Sequence, residues 1–217
     1  SHISLIESLK DKGWETILVD YLDNPPARAH ADRYIQHSCL DTDKVFSIAS
    51  EFGAKCIATS HIDKTIPVAA MASERLGIPF YLTSEQAVAL TDKSVMKRIL
   101  TDAGVQTSSY IIIDEEGTYK AESMSYPFVC KPVDNWGSLG LSIIHNQGDA
   151  QRHLKNAFQV SESKRVVLEE FTNGPEYSVD ICVKNGIATL ISFRRRIKIF
   201  LDEGSQVLCH GALLEKN

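Results

Sequence analysis

Lys131 closes an apolar run, Phe128-Val129-Cys130, and opens the loop Pro132-Val133-Asp134-Asn135-Trp136-Gly137-Ser138-Leu139-Gly140. A second apolar stretch, Leu141 to Ile144, follows. A strand–loop–strand of this kind can fold backbone N–H groups over phosphate oxygens while the lysine supplies a point charge. The glycines let the backbone come close to a ligand. A surface hairpin with a snorkelling lysine is the competing reading. Further on, Val166-Val167-Leu168-Glu169-Glu170-Phe171-Thr172 places two carboxylates at the end of an apolar strand, and Glu176 follows the turn Gly174-Pro175. Exposed backbone at a strand end can read an adenine edge, and a fixed carboxylate can accept from two ribose hydroxyls. A solvated strand terminus and an ordinary turn charge would look the same. Arg194-Arg195-Arg196-Ile197-Lys198 comes after the apolar run Leu190 to Phe193. If that strand continues, Arg194, Arg196 and Lys198 share a face suited to an acyl-phosphate or γ-phosphate. The alternative is a charged strand tip.

The elements that must position these groups fall into two kinds. In the first half, helical stripes (Leu5, Ile6 and Leu9 before Gly13; Val45, Ile48, Ala49 and Phe52 before Gly53; Ile66, Ala69, Ala70, Ser73 and Leu76 before Gly77) alternate with short apolar runs at Ile17–Val19 and Cys56–Ala58. Glycine just past each stripe is a helix stop. The alternation predicts a parallel sheet covered on both faces, a Rossmann-like layout. It lacks the G-x-G-x-x-G turn, so dinucleotide binding and a redox role have no local support. The chain opens on a helix, Ser4 to Lys12, where such a half begins with a strand. The expectation is a missing central strand between the runs at Ile17–Val19 and Cys56–Ala58, or a slot that another segment or chain fills. Thr83 and Gln86 predict a capping box, and a helix from Asp92 to Ala103 stops at Gly104. Beyond it strands dominate: Tyr110–Ile113 before the turn Asp114-Glu115-Glu116-Gly117, then Phe128–Cys130, Leu141–Ile144, Val166–Leu168 and Tyr177–Val183. The last leads into a hairpin turn at Lys184-Asn185-Gly186. A single helix, Asp149 to Phe158, interrupts these strands, which predicts an antiparallel α+β lobe.

Composition narrows the function. Lys and Arg total 23 against 28 Asp and Glu, a formal net charge of −5, which argues against a general nucleic-acid binder. Cys39, Cys56, Cys130, Cys182 and Cys209 are scattered with no C-x-x-C pair, a pattern of reduced thiols rather than of a disulfide framework or zinc site. No apolar run approaches membrane-span length and no signal-peptide pattern opens the sequence, so the expected compartment is the cytoplasm, with no membrane partner.

Taken with Thr91-Asp92-Lys93, these segments resemble the ATP-grasp superfamily. That family has an Asp-Lys opening a helix that ends in Gly-Val (here Gly104-Val105) and a Tyr-Pro-apolar-apolar-x-Lys-Pro strand (Tyr126 to Pro132). A Gly/Ser-rich flap, an apolar-Glu-Glu-aromatic hinge and Gly-Pro-Glu follow. The match runs from about Thr91 to Val183. The first ninety residues are similar to the pre-ATP-grasp domain, including Val19-Asp20-Tyr21 and Ala31-Asp32. The resemblance implies an α/β protein with a Rossmann-like pre-ATP-grasp domain over residues 1–83 and an incomplete α+β ATP-grasp fold over 84–217. The nearest branch is that of the carboxylate–amine ligases: glycinamide ribonucleotide synthetase-like, carbamoyl-phosphate synthetase-like and amino-acid ligase-like proteins.

The resemblance further implies ATP and Mg²⁺ as cofactors and a small-molecule carboxylate and amine as substrates, and it leaves a homodimer open. Lys93 and Lys131 would contact the nucleotide phosphates, under a flap that includes Trp136, Gly137, Ser138 and Gly140. Trp136 and Leu139 stand where the family has small or basic residues. Glu169, Glu170, Phe171 and Thr172 would bracket the adenine, largely through backbone groups, and Glu176 would hold the ribose. Arg194 and Arg196 would meet the phosphoryl group in transfer. Glu215-x-Asn217 imitates the family's Mg²⁺-binding Glu-x-Asn but follows Glu176 by only 39 residues, too few for the intervening lobe. The metal ligands are therefore unknown, and the chain is expected to be truncated at both ends and catalytically incomplete. A carbamoyl-phosphate-forming or carboxylase-type enzyme, and a non-catalytic nucleotide-binding module, are the alternatives.

Overall fold

The computed structural model describes residues 2–115, 123–201 and 206–214, with only the backbone described for 198–201 and 206–214. The turn residues Glu116 and Gly117, the pair Glu215 and Asn217, and the side chains of Lys198 and Cys209 lie outside that description. The chain divides into two units, Ser1–Ile99 and Leu100–Asn217.

The first unit contains α1 (His2–Lys10), β1 (Ile17–Asp20), β2 (Arg33–Gln36), α2 (Thr42–Glu51), α3 (Thr65–Leu76), α4 (Ser84–Thr91) and most of α5 (Lys93–Asp102). β1 and β2 pair in parallel, Ile17 opposite Arg33 through Asp20 opposite Gln36. A polar clamp sets that register: the Thr16 amide and hydroxyl both donate to Asp32 Oδ2 at 2.9 Å. Lys10 reaches the other oxygen of Asp32 at 2.8 Å and ties α1 to the same point. The helix boundaries follow their caps. Asp41 accepts from the Lys44 amide to start α2, and Gly77, at φ +66°, ends α3 in the left-handed conformation that glycine adopts without penalty. Thr83 and Gln86 form the reciprocal capping box that starts α4.

One expected strand is absent. Residues 54–60 form no ladder, and Cys56 and Ala58 are exposed. The strand that does pair with β1 is Arg33–Gln36, whose polar ends hide it from a search for apolar runs. A cavity of about 690 Å³, lined by Leu18 and Val19 on one side and Cys56 and Ile57 on the other, separates β1 from the 56–58 run. Its wall includes Ile48 of α2 and Ala69 of α3.

The second unit holds two antiparallel sheets. The first comprises β3 (Tyr110–Asp114), β4 (Phe128–Pro132), β5 (Ser142–Ile144) and β6 (Arg165–Glu170), in the order β3-β6-β4-β5, with α6 (Gln147–Val160) against it. Asn146 caps α6 by accepting from the Asp149 amide at 3.0 Å. The core lies between this helix and one sheet face, where Phe128, Ile144, Ala157 and Leu168 are wholly buried beside Leu154 and Phe158. Each large side chain buried there stabilises the unit by about 1.5–3 kcal/mol. The second sheet comprises β7 (Tyr177–Lys184), β8 (Ile187–Leu201) and β9 (Gln206–Leu214) in that order. Asn185 at φ +52° and Gly186 at φ +76° make the two-residue turn between β7 and β8. Among the described residues no helix is long and apolar enough to cross a membrane.

Candidate functional site

Strand alternation gives the four-stranded sheet two faces. One buries Phe128, Cys130, Val166 and Leu168 against α6. The other carries Lys131 and Glu169. β4 and β6 pair with Lys131 opposite Val167 and Val129 opposite Glu169, so Lys131 and Glu169 are diagonal neighbours. Their side chains meet, Lys131 Nζ pairing with Glu169 Oε1. The second carboxylate oxygen accepts a 2.8 Å hydrogen bond from Ser108 Oγ, just ahead of β3. Glu169 is only 7% exposed, and a buried carboxylate is tolerable when charge and hydrogen bonds compensate it on both oxygens.

Glu170 lies on the opposite face, across from Phe128, and is exposed. Its backbone amide donates to Ser109 O at 2.9 Å. Alternation therefore admits only one of the two adjacent carboxylates to the Lys131 face. Phe171 is half-buried and Thr172 exposed, in the connection of residues 171–176 that leads to β7.

The loop after Lys131 is anchored at both ends. Asn135 is buried and its Nδ2 donates to Val160 O at 2.5 Å. Gly140, at φ +75°, is wedged so closely that an added Cβ would lie 2.5 Å from Val160 Cγ2 and 2.8 Å from Pro132 Cγ. Between these anchors Trp136, Gly137, Ser138 and Leu139 are exposed. Gly137 and Ser138 are both left-handed, at φ +63° and +62°, a backbone able to turn amides toward an anion.

In the second sheet a β-bulge decides where the arginines point. Ile181 pairs with Leu190 but Asp180 pairs with Ser192, so Ile191 is the extra residue. Beyond it Arg194 lies opposite Ser178, on the face of Asp180. Arg194 Nη2 and Ser192 Oγ both donate to Asp180 Oδ2. Arg196 pairs with Glu176 through Nη1 and Oε1, and its amide donates to Glu176 O at 2.8 Å. Arg194, Arg196 and Lys131 are thus each matched by a carboxylate. Lys93 stands in the first turn of α5, which Asp92 caps by accepting from the Ser94 and Val95 amides at 2.7 and 3.2 Å. It belongs to the first unit.

Residues 124–206 match the ATP-grasp domain. Over that span the chain is similar to ATP-grasp proteins. The matched span holds Lys131, the flap, Glu169, Glu176, Arg194 and Arg196, and stops short of Lys93. The large chain of carbamoyl phosphate synthase from Neisseria meningitidis serogroup B is 28% identical over 187 residues, covering 82% of this chain and 17% of that protein. Phosphoribosylamine–glycine ligase from Helicobacter pylori is 29% identical over 149 residues, 66% of this chain and 34% of that one. Among solved structures, an ADP complex of N5-carboxyaminoimidazole ribonucleotide synthetase matches with a TM-score of 0.73 at 18% identity, covering 90% of this chain and 51% of its own. L-amino acid ligase from Bacillus licheniformis matches at 0.72 and 21% identity, covering 90% and 48%. The chain therefore spans about half the length of these ATP-grasp folds and less of the sequence relatives.

Ser108, Asp180 and Ser192 were not legible as site residues in the sequence. Asp180 had a weak signal, as the charge on the Ser178 face of a strand whose other face carries Tyr177, Val179 and Ile181. Its partners could not be read, because the bulge at Ile191 shifts the register by one. Ser108 had none, lying in a run of small polar residues before β3. Among the described residues no three His, Cys, Asp or Glu side chains cluster as metal ligands, so none is assigned to Mg²⁺.

Proposed function

We propose that this chain is the nucleotide-binding portion of an ATP-dependent carboxylate–amine ligase. In that reaction a carboxylate oxygen attacks the γ-phosphorus of ATP and ADP leaves. The amine then attacks the acyl carbon and phosphate departs. Chemistry of this kind asks the protein for positioning and electrostatic stabilisation rather than covalent participation. The observation that carries the reading is the Lys131–Glu169 pair, set on the sheet face opposite α6 within the span that matches the ATP-grasp domain.

In this reading Lys131 meets the phosphates and the exposed tip around Trp136, Gly137 and Ser138 folds over them, with Gly140 as its fixed end. Glu169, Glu170, Phe171 and Thr172 line the adenine through backbone groups, the Glu169 carboxylate being engaged by Lys131 and Ser108. Glu176 accepts from the ribose hydroxyls, exchanging part of its bond to Arg196. Arg194 and Arg196 face the anion in transfer. Mg²⁺ would neutralise phosphate charge, and the family's metal ligands are not identified in this chain. The cytoplasm is the compartment in which such a ligase would meet its ATP.

The likeness to carbamoyl phosphate synthase over 82% of the chain favours one second reading, with bicarbonate as the oxyanion acceptor. One experiment separates the two. The protein is incubated with ATP, Mg²⁺ and either ¹⁸O-labelled amino acids or labelled bicarbonate, and the released phosphate is examined by mass spectrometry. Label passing from an amino-acid carboxylate into phosphate, dependent on an amine, supports the ligase. Label from bicarbonate alone supports the second reading, and ADP release without label transfer overturns both.

A further inference from the structure

Glu169 is gripped from two strands at once. Its strand β6 lies between β3 and β4, and each neighbouring side supplies one partner. From the β4 side comes the Lys131 ammonium on Oε1, and from the residues leading into β3 comes the Ser108 hydroxyl on Oε2, at 2.8 Å. The terminal torsion of a glutamate is soft and broadly distributed, so a carboxylate held at one oxygen can still swing. A second anchor on the other oxygen removes that freedom and aims Oε1 at Nζ. Lysine gains most from such a guide. Its ammonium is a compact charge on a flexible four-carbon stem, and its place is set by whatever counter-charge is itself fixed. Ser108 is half-buried, so its hydrogen bond to the anionic oxygen is sheltered from competing water and is of the stronger, charge-assisted kind.

We propose that Ser108 is a positioning residue for nucleotide binding: it fixes Glu169, which in turn holds Lys131 where the phosphates are received. The proposal rests on the nucleotide reading of Lys131 above. Ser108 touches no phosphate itself. Its influence must therefore pass through Lys131 and be felt only by ligands that carry phosphate.

The test is calorimetric binding of ADP and of adenosine to the wild-type protein and to Ser108→Ala, Ser108→Thr, Lys131→Met and the Ser108→Ala/Lys131→Met double variant. Thermal unfolding is recorded for each to confirm folding. Ser108→Ala is expected to weaken ADP binding about tenfold while leaving adenosine unchanged. Threonine, which keeps the hydroxyl, should restore it. In the Lys131→Met background the serine substitution should add nothing, the non-additivity of residues that act in one chain. Equal losses for ADP and adenosine, or additive losses in the double variant, would overturn the positioning role while leaving Lys131 a phosphate ligand. If Lys131→Met binds ADP as the wild type does, the nucleotide reading of Lys131 fails and the role of Ser108 falls with it.

Discussion

Asp32 and Cys130 show how far a neighbourhood moves a single group. The Lys10 ammonium, then the Thr16 amide and hydroxyl, hold the Asp32 carboxyl at about 2 rather than its ordinary 3.8. A carboxylate depressed on folding contributes stability that is complete above its unfolded value and is lost as pH falls through its folded one. The urea midpoint should therefore drop between about pH 4 and pH 2, and in Asp32→Asn that portion of the acid limb should flatten. An unchanged limb would mean that the clamp adds nothing to stability. Burial pushes the Cys130 thiol up to about 12, and thiolate is the reactive form. Iodoacetamide on the native protein should label the exposed Cys56 and Cys182 and spare Cys130 until unfolding, as read by peptide mass spectrometry. Sequence alone supplied the types at this scale but not the pairings. Lys131 and Glu169 were each legible as candidates, yet their contact depends on the β4–β6 register, which local patterns do not contain.

Elements were legible where a local cue fixes the backbone. The Thr83–Gln86 box, glycine stops and the Asn185-Gly186 turn all gave boundaries that the structure keeps. β2 was lost because Arg33 and Gln36 flank only two half-buried residues, and the 56–58 run misled because apolar side chains do not make a strand without a ladder partner. The flap and the bulge are the elements that depend most on single positions. Gly140→Ala would force a Cβ to 2.5 Å from Val160 at φ +75°. Overpacking of this order costs about 1–3 kcal/mol, and the left-handed backbone adds about 1. Gly137 is left-handed too, but nothing lies within 4 Å of its Cβ position, so Gly137→Ala should cost about 1 kcal/mol alone. Chemical denaturation should rank them in that order, and equal costs would show that the wedge at Gly140 relaxes. Deleting Ile191 should restore an unbroken β7–β8 register. Only the unpaired residue is removed, so Arg194 should stay opposite Ser178, on the face of Asp180. The expected result is a folded protein that keeps the Arg194–Asp180 contact in its structure; loss of that contact would show that the local twist of the bulge, and not the pairing register, dictates where the arginines point.

At the scale of the molecule, sequence predicted an α/β first half and an antiparallel second half, because period and glycine punctuation are local and the two classes differ in them. It could not give the size of the space beside β1, which depends on how α1, α2 and α3 pack. The space of about 690 Å³ beside β1 is partly open to solvent and its wall includes Leu18, Val19, Ile48 and Ala69, so apolar volume can be added there without displacing packed side chains. Ala69 and Ala70 are adjacent on α3 and nearly equal in burial, at 3% and 0% exposed, but Ala69 lines this space and Ala70 does not. Cavity filling commonly adds about 0.5–2 kcal/mol, whereas enlarging a side chain in a close-packed region costs about 1–3 kcal/mol. Ala69→Leu should therefore raise the unfolding midpoint by a few degrees and Ala70→Leu should lower it, with calorimetry as the readout. The comparison isolates the cavity, since helix propensity, apolar surface and position along the helix are almost the same in the two variants. If both leucines destabilise equally, the space is closed in solution and β1 is packed on both sides.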